Sequence, residues 1–338
     1  MTPTRGVGAK EGLVPPTVGV VGAGGIARPH LQSWQAMGYR ILIHSVDGRA
    51  AEVAQDYGAE ACDSLDELLA ACDIVDVCAP TFAHHEIVLA AAAAGRDVVC
   101  EKPLALDHAA AASMIRACAQ AGVQLYPGQV VRYFPAYAAA RAAVLAGRIG
   151  QPAVLRLLRR GAAPVQPWFA DPSLSGGIMI DQMIHDFDFA RWVAGEVESV
   201  YAKLLGGNGS PLFGLAVLTH TGGALTHLVG GWGRADETFR TSFSLAGSDG
   251  LIQYSTTDRP TLTFAGPGAR DTGGALLPDV SFGISPYGSE LAEFAAAFAG
   301  GPTPRVSAQD SLAALDIALA ASLSARTGRP VSPSEVTS

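Results

Sequence analysis

The sequence predicts an α/β protein in two parts: a doubly wound parallel sheet, then an α+β unit with an open, mainly antiparallel sheet. Three observations carry this. From residue 17 to about 128, short apolar runs alternate with helical patterns. The first of these runs opens into the glycine-rich turn Gly22-Ala23-Gly24-Gly25-Ile26-Ala27. From residue 197 onward, strand candidates follow one another without helices between them. The expected divisions are 1–16, 17–128 and 129–331. At 338 residues the chain is long enough for two parts that each bury a core.

In order, strands are expected at 17–21, 40–44, 73–78, 97–100 and 123–126, with helices at 26–37, 49–57, 85–94 and 109–121. These strands read as near-continuous apolar runs, as expected of a sheet covered on both faces. Beyond residue 128 the rhythm changes. A helix is expected at 135–146, a strand at 153–160 and one long apolar helix over 176–193. Strands follow at 197–205, 213–220, 224–231, 238–246, 251–254 and 261–264, joined by turns such as Thr221-Gly222-Gly223 that favour hairpins. A loop over 267–280 and helices at 289–299 and 307–326 close the chain.

Composition excludes several classes. A net charge of −8 and a pI near 5.4 argue against a nucleic-acid partner, which needs concentrated positive charge. The longest apolar run, 87–94, is far short of the roughly 20 residues that span a bilayer. Residues 1–16 have no apolar core and no twin arginine, so they read as a disordered lead-in rather than a secretion signal. The five cysteines, Cys62, Cys72, Cys78, Cys100 and Cys118, form no C-x-x-C pair and suit a reducing cytoplasm.

The turn after the first strand fits G-x-G-x-x-A. Gly22 permits the tight turn, Gly24 the approach of a pyrophosphate, and Ala27 close packing of helix on strand. Ala23, Gly25 and Ile26 complete it, with phosphate on the helix N-terminus. This makes 17–128 a Rossmann-type dinucleotide-binding domain and 129–331 a substrate domain. A carboxylate at the end of the second strand would bind an NAD ribose, but His44 and Ser45 stand there. Asp47 comes slightly late, and Arg49 could meet a 2′-phosphate. The cofactor is therefore NAD or NADP, leaning to NADP; Asp47 reads equally as a helix cap.

Two further stretches carry chemistry. Glu101-Lys102-Pro103 lies at the C-terminal end of the fourth expected strand, where open parallel sheets bind ligands. Lys102 is one of only three lysines, with Lys10 and Lys203. Its ammonium could hydrogen-bond a substrate hydroxyl and stabilise a developing alkoxide; the alternative is a loop lysine paired with Glu101. In the expected helix 176–193, Asp181, His185 and Asp188 are spaced to share one face. His185 has the intrinsic pKa of a general base. Asp181 could orient the imidazole or hydrogen-bond the substrate. Asp188 reads as structural, paired with Arg191 or a backbone amide. No metal is expected, because no further His or Cys cluster joins these three. Arg156, Arg159, Arg160, Gln166 and Trp168 are candidate pocket residues.

From Thr17 to Val331 the chain resembles the glucose–fructose oxidoreductase / inositol dehydrogenase (Gfo/Idh/MocA) family. The matching pieces are the Gly22–Ala27 turn, Ala79-Pro80-Thr81 with His84, Ala94-Gly95-Arg96 leading to Glu101-Lys102-Pro103, Arg132-Tyr133-Phe134-Pro135, and Gly176-Gly177 with Asp181 and His185. The resemblance implies that Lys102, Asp181 and His185 are the catalytic set, and that Ala79, Pro80, Thr81, His84 and Glu101 lie along the nicotinamide half of the cofactor. It also implies a homodimer or homotetramer formed through the C-terminal sheet. The expected function is hydride transfer between nicotinamide C4 and a secondary alcohol or ketone carbon of a sugar, inositol or related polyol. The rival readings are a non-catalytic NAD(P)-binding sensor and an NAD-dependent glycosidase.

Overall fold

A computed structural model describes residues 16–207, 210–257, 262–265 and 284–337. The expected loop at 267–280 and all of the lead-in except Pro16 lie outside the described residues. In the first half the elements run β1 (Thr17–Val21), α1 (Ala27–Ala36), β2 (Arg40–His44), α2 (Ala50–Tyr57), β3 (Glu60–Ala61), α3 (Leu65–Ala71), β4 (Ile74–Val77), α4 (Thr81–Ala93), β5 (Asp97–Glu101), α5 (His108–Ala121) and β6 (Leu125–Gly128). All pair in parallel, in the order β3-β2-β1-β4-β5-β6. Strand order reverses between β1 and β4, and the crevice above that reversal is where open α/β sheets take ligands.

Two elements here escape a hydrophobic pattern. Strand β3 has two residues, both exposed. Helix α3 announces itself by its cap instead: Ser64 Oγ accepts Glu67 N–H at 3.2 Å, and Glu67 Oε2 accepts Asp63 N–H at 2.8 Å. Helix α4 starts at Thr81, ahead of the expected 85, directly after Pro80.

The second half comprises α6 (Pro135–Leu145), β7 (Pro152–Ala162), α7 (Pro167–Ala170), α8 (Pro172–Ser175), α9 (Gly177–Asp181), α10 (Ile184–Ala194), β8 (Val197–Gly207), β9 (Ser210–His220), β10 (Leu225–Gly233), β11 (Arg240–Gly247), β12 (Leu251–Ser255), β13 (Leu262–Ala265), α11 (Pro286–Phe298) and α12 (Ala308–Thr327). The sheet order is β13-β12-β11-β7-β10-β9-β8. Within this sheet, only β7 and β10 pair in parallel among the described strands. The β9–β10 hairpin turns at Gly223, whose φ of +86° suits glycine. No described helix is long and apolar enough to cross a membrane.

The expected single helix over 176–193 is corrected: the chain breaks at Gln182-Met183, between α9 and α10. The sheet below supplies the reason. Gln182 bonds both ways to Gly231 of β10, donating Nε2–H to its carbonyl at 3.4 Å and accepting its N–H at 3.2 Å. Met183 presses on Gly214 and Gly230, where an added Cβ would come within 2.5 Å of it. Asp181, His185 and Asp188 therefore do not share one helix face.

Asp188 is also corrected, since its partner is neither Arg191 nor an amide. Arg132 Nη2 and Nε donate to its two oxygens at 2.6 and 2.8 Å, with both residues fully buried. Arg191 instead pairs with Glu196 and Asp310. Near the C-terminus the chain returns to the first sheet: Leu291 and Phe294 of α11 share a core with Val18, Val20 and Trp34. Asp188→Ala strands a buried guanidinium, so urea unfolding should show a loss of about 3–5 kcal/mol. A loss below about 1 kcal/mol, the size of a surface pair, would show that this pair is not sealed in the core.

Candidate active site

The phosphate turn is shaped by close approach. Gly22 has φ +114°, and a Cβ there would meet Cys78 O at 2.6 Å, so the chain leaving β1 can pass the end of β4 this closely only at glycine. At Gly24 and Gly25 nothing lies within 4 Å of an added Cβ, so the turn is open outward. Ala23 is buried, and Ile26 stands just before α1, which has no side-chain cap and no acid in its first turn. Free N–H groups at an uncapped helix start beneath an open turn fit a pyrophosphate. Ala27 is fully buried, as close helix–strand packing requires.

At the end of β2, His44 Nδ1 faces Cys62 O at 3.1 Å. Asp47 Oδ1 accepts from Ser45 Oγ at 2.7 Å and from Arg49 N at 3.1 Å, ahead of α2. Partial burial pushes the Asp47 carboxyl up, but these two donors outweigh it and hold it below its ordinary value.

Above β4, Ala79 and Pro80 lead into Thr81, which is buried at the start of α4. His84, one turn on, is clamped between two carbonyls: Nδ1 is 2.9 Å from Pro103 O and Nε2 is 2.8 Å from Ala79 O. Burial keeps this ring's pKa below its usual value. It ties α4 to the loop carrying Lys102, whose peptide bond to Pro103 is cis.

Lys102 Nζ donates to Asp181 O at 2.8 Å and lies 3.3 Å from Asp181 Oδ1. Lys102 is therefore not the loop lysine paired to Glu101; the Glu101 carboxylate accepts its backbone N–H at 3.0 Å. Lys102 and Asp181 come together across the two halves, and the helix break puts Asp181 at the end of α9 to receive the ammonium. Asp181 makes no hydrogen bond to His185. The half-buried His185 has a buried Nδ1 without a partner. Burial first, then the positive charges of Lys102 and Arg159, holds its imidazole well below the usual pKa. A neutral imidazole beside an ammonium can take a proton while the ammonium steadies the oxygen that loses it.

Among the candidate pocket residues, Arg159 is buried and donates to Asp186 at 2.9 and 3.1 Å. Arg160 pairs with Glu237. Arg156 and Gln166 are exposed. Trp168 stacks on Phe169 and meets Phe82 edge-on. Sequence reasoning passed over His30 and Asp76, which lie beneath the Lys102 loop. The signal was present, since an aspartate inside the apolar run Ile74-Val75-Asp76-Val77 needs a buried partner. Among the described residues, one group of three donors is close enough to share an ion: His30, Asp76 and Cys78. Its chemistry does not fit a metal, because His30 and Asp76 bond each other and burial, with Asp76 nearby, pushes the Cys78 thiol up to about 12.

Comparison with known proteins identifies the family. Residues 17–129 match the profile "Oxidoreductase family, NAD-binding Rossmann fold", and residues 137–253 match "GFO/IDH/MocA C-terminal domain". A myo-inositol 2-dehydrogenase of Thermotoga maritima is 33% identical over 94% of this chain and 99% of its own length. A scyllo-inositol 2-dehydrogenase (NAD(+)) of Bacillus subtilis is 31% identical over 84% of this chain and 85% of its own. The crystal structure of a probable dehydrogenase from Thermotoga maritima superposes with a TM-score of 0.78 at 30% identity, covering 95% of this chain and 99% of that one. The chain belongs to the Gfo/Idh/MocA family of oxidoreductases, and its first half is that family's NAD-binding Rossmann fold.

Proposed function

We propose that this protein is a dehydrogenase that oxidises a secondary alcohol of an inositol-like cyclic polyol, with Lys102, Asp181 and His185 as its catalytic set. One observation carries the reading: Lys102 Nζ is held on Asp181 beside His185, whose buried Nδ1 has no hydrogen-bond partner among the described residues. The names of the Thermotoga and Bacillus relatives support the substrate class. In this reading residues 17–128 take the dinucleotide and 129–331 the substrate.

A bound nicotinamide supplies the hydride acceptor. Its pyrophosphate would rest on Gly22, Ala23, Gly24, Gly25 and Ile26, and its nicotinamide half along Ala79, Pro80, Thr81, His84 and Glu101. Lys102 donates a hydrogen bond to the reacting oxygen and stabilises it as the O–H proton leaves. His185 takes that proton at Nε2, since Nδ1 is buried. Asp181 fixes Lys102 rather than the imidazole. The balance is one hydride from carbon to cofactor and one proton from oxygen to His185, leaving a ketone.

On cofactor choice, the sequence leaned to NADP through His44 and Ser45. The geometry around Asp47 favours NAD: an ionised carboxylate at the end of β2 repels a 2′-phosphate and accepts ribose hydroxyls. The Bacillus relative is named for NAD(+). We also infer a homo-oligomer through the open sheet face, where Tyr201, Leu205 and Leu215 are exposed on one side of β8 and β9. The five free, buried cysteines suit the cytoplasm.

A panel of inositols and sugars, read by nicotinamide absorbance, should contain a substrate. With it, Lys102→Met should bind cofactor normally and lose at least about 100-fold in kcat. Tight cofactor binding without turnover on any panel member would point to a sensor, and normal turnover of the variant would remove Lys102 from the chemistry. kcat/KM should favour NAD over NADP by at least about tenfold, and Asp47→Ala should narrow the gap. A preference for NADP would assign Asp47 to capping alone.

A further inference from the structure

Beneath the Lys102 loop runs a buried chain of charged groups whose inner members, Asp76 and His30, have no part in the proposed reaction. Asp76 sits fully buried in β4. Its carboxylate accepts Trp34 Nε1–H at 2.6 Å and meets His30 Nδ1 at 2.9 and 3.1 Å. On the other side of the ring, His30 Nε2 lies 3.0 Å from Glu101 Oε1. Glu101 Oε2 then accepts the backbone N–H of Lys102 at 3.0 Å. Past the lysine, Pro103 O is held by His84 at 2.9 Å. The main chain on each side of Lys102 is thus pinned from below.

We infer that Asp76 and His30 are positioning residues for Lys102: through Glu101 they fix the main chain from which its ammonium reaches Asp181. This inference rests on Lys102 being catalytic.

The chemistry of the donors supports it. A neutral imidazole donates from one nitrogen only, which would leave one of the two carboxylates without its bond; the protonated ring donates to both. Burial opposes that charge, but Asp76 and Cys78 outweigh it and raise the His30 pKa well above its usual value. Bonds between charged partners are short and directional, so Glu101 has a single orientation. The backbone of β6 confines it further, since a Cβ on Gly128 would come within 2.8 Å of Glu101 Oε1. Glu290 of α11 lies near the same group. Burial, and then the Glu101 charge, pushes its carboxyl well above the usual range, which disfavours a second negative charge there. Weakening the chain would free the Lys102 backbone, and a displacement of about 1 Å at a reacting group can cost up to about 100-fold in rate.

A double-mutant cycle separates positioning from plain support of the core. In the full-length protein with its nicotinamide cofactor, kcat is measured for Asp76→Asn, Lys102→Met and the double variant, and cofactor affinity is read from nicotinamide fluorescence. Asp76→Asn should lower kcat about tenfold or more when Lys102 is present and less than about twofold when Lys102 is absent, with cofactor affinity held within about twofold. Equal losses in both backgrounds would overturn the inference and leave the Lys102 reading standing. Near-normal turnover of Lys102→Met alone would remove that reading and this inference together. If Asp76→Asn does not fold, His30→Gln, which keeps a neutral donor toward Glu101, enters the same cycle under the same criterion.

Discussion

The contact between Lys102 and Asp181 joins the two halves of the chain at the proposed site of chemistry. An ammonium from the end of β5 reaches both a main-chain carbonyl and a carboxylate at the end of α9. Each side needs its own local structure. The lysine needs a loop fixed by Glu101 below and His84 beside it. The aspartate needs a helix that stops at residue 181, and it stops because Gln182 and Met183 are seated on glycines of the second sheet. An uninterrupted helix would present a different set of groups to the cleft.

Electrostatics then divides the labour. Lys102 has Asp181 as its ion-pair partner, while burial and the cations Lys102 and Arg159 hold the His185 pKa well below its usual value. Arg159 is itself matched by Asp186, which immediately follows His185 in sequence, so its charge remains local. The site therefore sets an ammonium beside an imidazole whose pKa is lowered. The larger charged pairs, Arg132 with Asp188 and His30 with Asp76 and Glu101, lie in the surrounding core.

Much of this was legible in the sequence. The Gly22–Ala27 turn, the strand-end position of Lys102 and the alternation of the first sheet follow from local patterns. What escaped did so for physical reasons. Strand β3 is too short and exposed to show a period. The break after Asp181 is made by Gly214, Gly230 and Gly231, more than thirty residues away, and spacing along one helix cannot report it. For the same reason Asp188 found Arg132 rather than its near neighbour Arg191. The return of α11 onto the first core has no local signature at all. Asp76 had one, a charge inside an apolar strand, but its partner His30 lies on a helix 46 residues earlier.

The central claim is that His185 is the base and that its surroundings keep it unprotonated. The pH dependence of kcat/KM tests this most directly, because a base works only when neutral and activity falls as pH drops through its pKa in the free enzyme. With its pKa lowered in the folded protein, the acid limb should lie below the ordinary histidine value of 6.5. In His185→Ala the rate should fall roughly 100- to 10,000-fold and the limb should vanish from the residual activity. An acid limb at or above 6.5, or a variant that keeps both rate and profile, would contradict the account.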